Sequence, residues 1–212
     1  MRSVVFAMML TALLAPSLAA AQTGAVTQWF QVGDRTTYTI FMSGKQQTLE
    51  ETWTEVDGNT IRGVQKLGDR EVPLAITTSP FTELMRICIS NGQTCRFSPA
   101  IKGLDLPLEK GKQWSTGSFI VEGEDFSADV AENFKVEKIE SVKVPAGEFD
   151  AFKVSFAGTI KGTNKKGERF SGKEDGTHWI AIVAGRPVWV KTVYRNSFGA
   201  RTTRELISTS FR

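Results

Sequence analysis

The sequence predicts an all-β protein, an antiparallel meander forming a curved sheet, half-barrel or incomplete barrel. Three observations carry this expectation. Side chains alternate at period two through most of the chain: Tyr38, Ile40 and Met42 alternate with Thr37, Thr39 and Phe41, and Phe152, Val154 and Phe156 with Lys153 and Ser155. Such a period leaves one face of an extended strand to be buried. Turn-forming clusters interrupt the alternation at short intervals: SGK at 43, DGN at 57, NG at 91, PAGE at 145, TNKKGE at 163, AGRP at 184 and FGA at 198. Finally, the one helix-like start, SPFTEL at 79–84, where Ser79 could cap and Pro80 open a first turn, runs straight into a hairpin and reads as loop and strand.

Taken in order, residues 1–21 come first. Arg2, the apolar run from Val4 to Leu14, and the small residues Ala19 and Ala21 before Gln22 form a secretory signal peptide. The apolar run is shorter than the roughly 20 residues a membrane-spanning helix needs. No cysteine stands at the cleavage point to take a lipid. A periplasmic or secreted location is therefore expected, with no membrane span and with residues 22–212 as a single all-β domain. A faint echo between FQVGDRTTYTI at 30–40 and PLEKGKQWSTG at 107–117 suggests two halves. Their joint falls near 98–112, where Pro99, Gly103, Pro107 and Gly111 cluster.

Cys88 and Cys95 bracket CISNGQTC, in which Asn91-Gly92 suits a two-residue type I′ turn because both positions need positive φ. That register sets the two cysteines directly opposite each other, within disulfide reach, and an oxidising compartment would join them. In KVPAGEFDAFKV, residues 143–154, Pro145, Ala146 and Gly147 each have a turn conformation to supply. A four-residue loop there pairs Val144 with Phe149 and Val142 with Ala151, placing apolar side chains on one face.

IESVKVPAGEFDAFKV, followed by THWIAIVAGRPVWVK, resembles a pattern in an uncharacterised bacterial periplasmic family of domain-of-unknown-function type. In that family a VPAG-F hairpin precedes a W…G…V strand pair, and LPLEKGKQW at 106–114 is similar to its preceding strand entry. The resemblance covers about residues 104–193. It implies a curved antiparallel sheet or incomplete barrel and an envelope role, and it brings no catalytic residues with it.

Charge and motifs narrow the function. The 26 Lys and Arg against 23 Asp and Glu, a net charge of +3, are interspersed rather than blocked, which points away from nucleic acid. His178 is the single histidine, so a multi-histidine metal site is excluded. Asp175, three residues earlier, projects to the opposite face of a regular strand, and no nucleophile motif accompanies the pair. GERFSGKE at 167–174 ends in Glu174 where a phosphate-binding loop needs Ser or Thr. Glu122, Glu124, Asp125 and Asp129 lack the calcium-loop spacing. No catalytic residue, metal or cofactor is expected.

What remains is aromatic content on a sheet. Five tryptophans, 14 phenylalanines and two tyrosines can fill a core, and a curved sheet of this size can also leave an apolar cavity. Trp179 and Trp189, on the two strands of the AGRP hairpin, are the candidate cavity wall. The leading expectation is a non-enzymatic envelope protein binding a hydrophobic small molecule, a lipid or a partner protein. An assembly factor pairing through exposed sheet edges is the alternative, and a hydrolase using His178 is a second.

Overall fold

The computed structural model describes residues 25–88 and 91–211, and the expected signal peptide lies outside them. The strands are β1 (Arg35–Met42), β2 (Lys45–Asp57), β3 (Thr60–Leu67), β4 (Arg70–Thr78), β5 (Phe81–Ile87), β6 (Thr94–Ile101), β7 (Gln113–Glu122), β8 (Phe126–Val144), β9 (Gly147–Asn164), β10 (Arg169–Val183), β11 (Arg186–Asn196) and β12 (Arg201–Ser210). Each pairs antiparallel with its neighbour in sequence, and β12 returns to β1, so the meander closes into a twelve-stranded barrel. Among the described residues there is no helix. The antiparallel meander is as expected from sequence; closure goes beyond a half-barrel or incomplete barrel. Its reason is the seam, in which eight residues of β1 find partners on β12 and neither end strand keeps an open edge.

Alternation along the strands sorts polar from apolar. On β9, Phe152, Val154 and Phe156 face the interior, while Lys153, Ser155, Thr159 and Lys161 face outward. An apolar lumen inside a polar wall is the inverse of the pattern of outer-membrane barrels. Twelve strands enclose a wider space than barrels of about eight, whose side chains fill the interior. Here aromatic rings do much of the filling. Trp114 stacks on Phe134 at 5.0 Å, and its indole N–H donates to the Lys102 carbonyl at 3.2 Å.

The two ends of the barrel differ. One is closed by a floor. Phe30 stacks on Trp53 at 4.8 Å and meets Phe211 at 5.9 Å, Trp29 stacks on Phe81 at 5.5 Å, and Leu104 and Leu108 enter the core from the 102–112 connection. The N–H groups of Thr27 and Gln28 both donate to the Gly185 carbonyl at 3.1 Å, tying the segment before β1 to the β10–β11 turn. Beneath them Asp34 and Arg186 form a buried ion pair at 2.8 Å. The other end carries the β5–β6, β7–β8, β9–β10 and β11–β12 loops. There Asp125 accepts from Gln93 at 2.6 Å and pairs with Lys165 at 2.7 Å, and Arg70 pairs with Glu124.

Both hairpins singled out in the sequence form, each with its register moved by two residues. Val144 faces Gly147 and Val142 faces Phe149, so the turn is the two residues Pro145-Ala146 rather than a four-residue loop. The tighter turn lets the Ala146 N–H donate to the Leu206 carbonyl at 3.1 Å and seats the hairpin tip against β12. In the cysteine hairpin the change is the other way. Arg86 faces Cys95, Ile87 faces Thr94, and the Cys88 N–H bonds to the Gln93 carbonyl at 2.7 Å, so Cys88 is set against Gln93 rather than Cys95. Gly92 takes φ +72°. Asn91 uses its Oδ1 to accept from the Gln93 N–H at 3.0 Å.

A two-residue shift preserves the face of a strand, so Cys88 and Cys95 meet diagonally, with Cα atoms 5.3 Å apart and at disulfide distance. Protein taken from an oxidising compartment is expected to weigh two hydrogens less than the reduced chain and to resist iodoacetamide until reduced. Reduction should then cost about 2–3 kcal/mol in urea unfolding. Two alkylatable thiols before reduction would sink the assignment.

Candidate functional site

The barrel interior is not completely filled. A cavity of about 580 Å³ runs from Trp53, Phe81 and Trp189 above the floor to Asn91, Asp125 and Phe198 at the loop end. Phe198, 51% exposed, borders both the cavity and solvent, so the space opens at that end. Phe119, Phe134, Phe156 and Phe170 supply much of the wall. The volume falls in the range of small-molecule sites, and so does the combination of apolar walls with a few convergent polar groups.

The first polar group comes from the inward positions of three strands. Along β8, Ala128, Val130, Phe134 and Val136 point inward, and Glu132 occupies the same register. Along β10 the inward residues include Glu174, His178 and Ile180, and along β11 Thr192, Tyr194 and Asn196. Between β8 and β10 lies β9, whose Gly158 is the Cα partner of both Glu132 and Glu174. A Cβ there would lie 3.0 Å from the Glu132 side chain and 3.1 Å from Glu174 Oε1. The missing side chain is what lets the two carboxyls meet across the intervening strand.

Two neighbouring buried carboxyls cannot both ionise cheaply. Burial, then the charge of Glu174, holds the Glu132 carboxyl well above its usual range, and burial also raises Glu174. Facing each other across Gly158, the two carboxyls favour sharing a proton over ionising together. The Tyr194 hydroxyl donates to Glu174 Oε2 at 3.0 Å and accepts from Asn196 Nδ2 at 3.1 Å. Burial and the Glu174 charge push that phenol upward, keeping it a donor. Arg86 stands close enough to favour ionisation of the pair, and Glu83 opposes it. These last two bond to each other at 2.7 Å.

The second polar group centres on Glu51. It accepts from Thr36 at 2.9 Å and Gln65 at 2.8 Å and pairs with Arg204 at 3.5 Å. The Arg204 guanidinium lies over the Tyr38 ring at 4.6 Å. Gln65 Oε1 in turn accepts the Ile87 N–H at 2.6 Å, so this buried network is a structural brace on one side of the lumen.

His178 borders the cavity, stacked on Phe156 at 4.7 Å with Nδ1 3.1 Å from the Thr192 hydroxyl. Burial, then the charges of Arg204 and Arg86, lower its pKa to about 3. An imidazole so reluctant to take a proton is a weak general base at neutral pH. Asp175 points away from it and pairs with Arg195 on the outer wall.

The two tryptophans offered as cavity wall part company. Trp189 faces Ile180 and lines the cavity. Trp179 faces Lys191, away from the cavity and half-buried against a second apolar cluster, where its indole N–H donates to Glu140 at 2.7 Å and Lys153 lies 5.7 Å from its ring. The two belong to opposite faces because Trp189 faces Ile180, and Trp179, the next residue along β10, projects to the other side. Cys88 and Cys95 also line the cavity, near its open end. Of the acidic residues weighed for calcium, Glu124 and Asp125 make the loop ion pairs and Asp129 accepts from Ser118. Among the described residues no group of three or more His, Cys, Asp or Glu is placed to hold a metal.

No protein-family model matches this chain, and no curated protein matches it. Solved structures do. The barrel is similar to a crystal structure from Bacteroides fragilis described as an exported protein with a YmcC-like fold. The TM-score is 0.56 at 13% identity, covering 88% of this chain and 99% of that one. It is likewise similar to a protein from Parabacteroides distasonis described as a lipoprotein, with TM-score 0.53, 14% identity, and 89% and 100% of the two chains covered. At such identities the likeness is one of fold.

Proposed function

We propose that this protein is a non-enzymatic binding protein of the cell envelope whose barrel holds an apolar or amphipathic small molecule. The observation that carries the reading is the aromatic-walled cavity of about 580 Å³, open at one end and floored at the other. The envelope location draws on the signal-peptide pattern of residues 1–21 and on the fold shared with proteins described as exported or as a lipoprotein. Partner binding through a sheet edge has less to work with, since β1 and β12 occupy each other's edges. A hydrolase built on His178 would need a stronger base than an imidazole with a pKa of about 3.

Titration with 1-dodecanol, followed by tryptophan emission, tests the reading. Trp53 and Trp189 line the cavity and should report its occupation. Saturable binding is expected in the wild type, and its loss in Val130→Trp, which projects a large ring into the lumen from β8. Circular dichroism establishes that the variant is folded, and Ile160→Phe serves if it is not. Absence of saturable binding in the wild type, or unchanged binding in a folded filled variant, overturns the proposal.

A further inference from the structure

Resting on the reading of the barrel as a binding protein, we infer that the cavity selects ligands with a single positive charge: an apolar body carrying a protonated amine or quaternary ammonium, seated against Glu132 and Glu174. The inference begins with a census of the charges inside the lumen. Glu83 is bonded to Arg86 at 2.7 Å, and Glu51 is paired with Arg204 at 3.5 Å. Both interior arginines are thus committed to carboxylates. Among the described residues no ion pair joins Glu132 or Glu174 to a cation, so negative charge on this pair is the excess in the lumen.

The geometry around that charge has the character of a receptor. Glu174 is 7% exposed and lines the cavity, and among the described residues its buried Oε1 has no hydrogen-bond partner. Tyr194 and Asn196 fix the other oxygen. Beside the pair, the stacked rings of Phe134, Phe156 and Tyr194 form an apolar wall for the body of the ligand. A cation taken from water into such a place is held by the carboxylate, and the low dielectric strengthens that attraction. A carboxylate ligand meets the opposite situation: a like charge facing it, with Arg86 and Arg204 each already paired with a carboxylate. A neutral alcohol can hydrogen-bond to the pair but gains no charge attraction.

Three ligands of equal chain length test this at pH 7, below their micelle concentrations: dodecylammonium, 1-dodecanol and dodecanoate. Dodecylammonium is expected to bind at least about tenfold more tightly than dodecanol, with dodecanoate weakest. In the double variant Glu132→Gln, Glu174→Gln the ratio of amine to alcohol affinity should fall toward one. Gly158→Ala, which drives a methyl group between the two carboxyls, supplies an independent disturbance should the double variant not fold. If dodecanol binds and the amine shows no preference, the charge selection is wrong while the binding reading stands. An amine preference that survives in the folded double variant or in Gly158→Ala places the cation elsewhere and overturns the site. Failure of all three ligands removes the binding reading itself.

Discussion

Arg186→Ala is expected to cost about 3–5 kcal/mol of folding stability, the range for removing one partner of a buried ion pair. The side chains of Arg186 and Asp34 are 2% and 0% exposed, with Nε and Oδ2 2.8 Å apart. Their attraction offsets a large desolvation cost, and truncating the arginine leaves the carboxylate in place with that cost uncompensated. More than the pair is disturbed. Arg186 also donates to the Ala184 carbonyl at 3.2 Å and covers the Phe211 ring at 4.9 Å. Asp34 accepts the Gln31 N–H at 2.9 Å, and its carbonyl receives the Trp53 N–H at 3.0 Å. Urea unfolding followed by tryptophan emission measures the loss. The double variant Asp34→Asn, Arg186→Met should recover most of it, since no charge is then left buried. A loss below about 1 kcal/mol in the single variant would show that the floor does not depend on this pair.

The second large effect is the shape of stability against pH. His178 has a folded pKa of about 3 against an ordinary 6.5. Between those values the unfolded chain binds the proton and the folded chain does not, so stability falls as pH drops through that window. Glu132 is the opposite case, raised to about 8 from an ordinary 4.5. Across its window the folded chain keeps a proton that the unfolded chain has lost, and stability falls as pH rises. Each contributes a slope of up to about 1.4 kcal/mol per pH unit. From pH 4.5 to 6.5 the His178 and Glu132 slopes oppose each other, with an alkaline decline between 6.5 and 8 to which the raised Glu174 adds, and an acid decline below 4.5. Glu132→Gln should flatten the alkaline limb and leave an acid decline beginning near 6.5. His178→Phe, which keeps the stack on Phe156, should remove its share of the acid limb. Thermal unfolding in buffers across this range reads both limbs, and a wild-type profile that rises from pH 6.5 to 8 would contradict the assignment.

Legibility from sequence followed physical lines. Period-two alternation names the face on which a side chain lies, and it placed Phe152, Val154 and Phe156 together on a buried face. It is blind to a slip of two residues, which moves every partner and changes no face. That is the error in both hairpins: Pro145-Ala146 turns more tightly than VPAGE suggested, and Cys88 meets Gln93 where the Asn91-Gly92 turn would have set it opposite Cys95. Adjacent strands are enough to group Trp179 with Trp189, but Trp189 pairs with Ile180, and alternation sends Trp179 to the other face. The polar site did leave a signal. In the run Ala128, Val130, Glu132, Phe134, Val136, a carboxylate stands at an inward position among apolar neighbours, and a charge in such a register needs a reason. Its partner Glu174 belongs to a stretch of glycines and charges whose alternation names no face. Only the shared neighbour Gly158 shows that the two carboxyls meet.

The seam between β1 and β12 has a kinetic meaning. Arg35 pairs with Ser210 across almost the whole described chain, so one of the contacts that makes the barrel a barrel is also among the most distant in sequence. Loop-closure entropy for such a contact is paid before its hydrogen bonds repay it, and folds rich in non-local strand pairs fold slowly. Sequential hairpins can zip from β2 to β11 on local contacts alone, producing an open, curved sheet with two bare edges and its aromatic face wet. That intermediate is the form most exposed to edge-to-edge association. On the proposed reading, a molecule seated against the aromatic face would favour the closed barrel by mass action, which would tie occupancy of the lumen to completion of the seam.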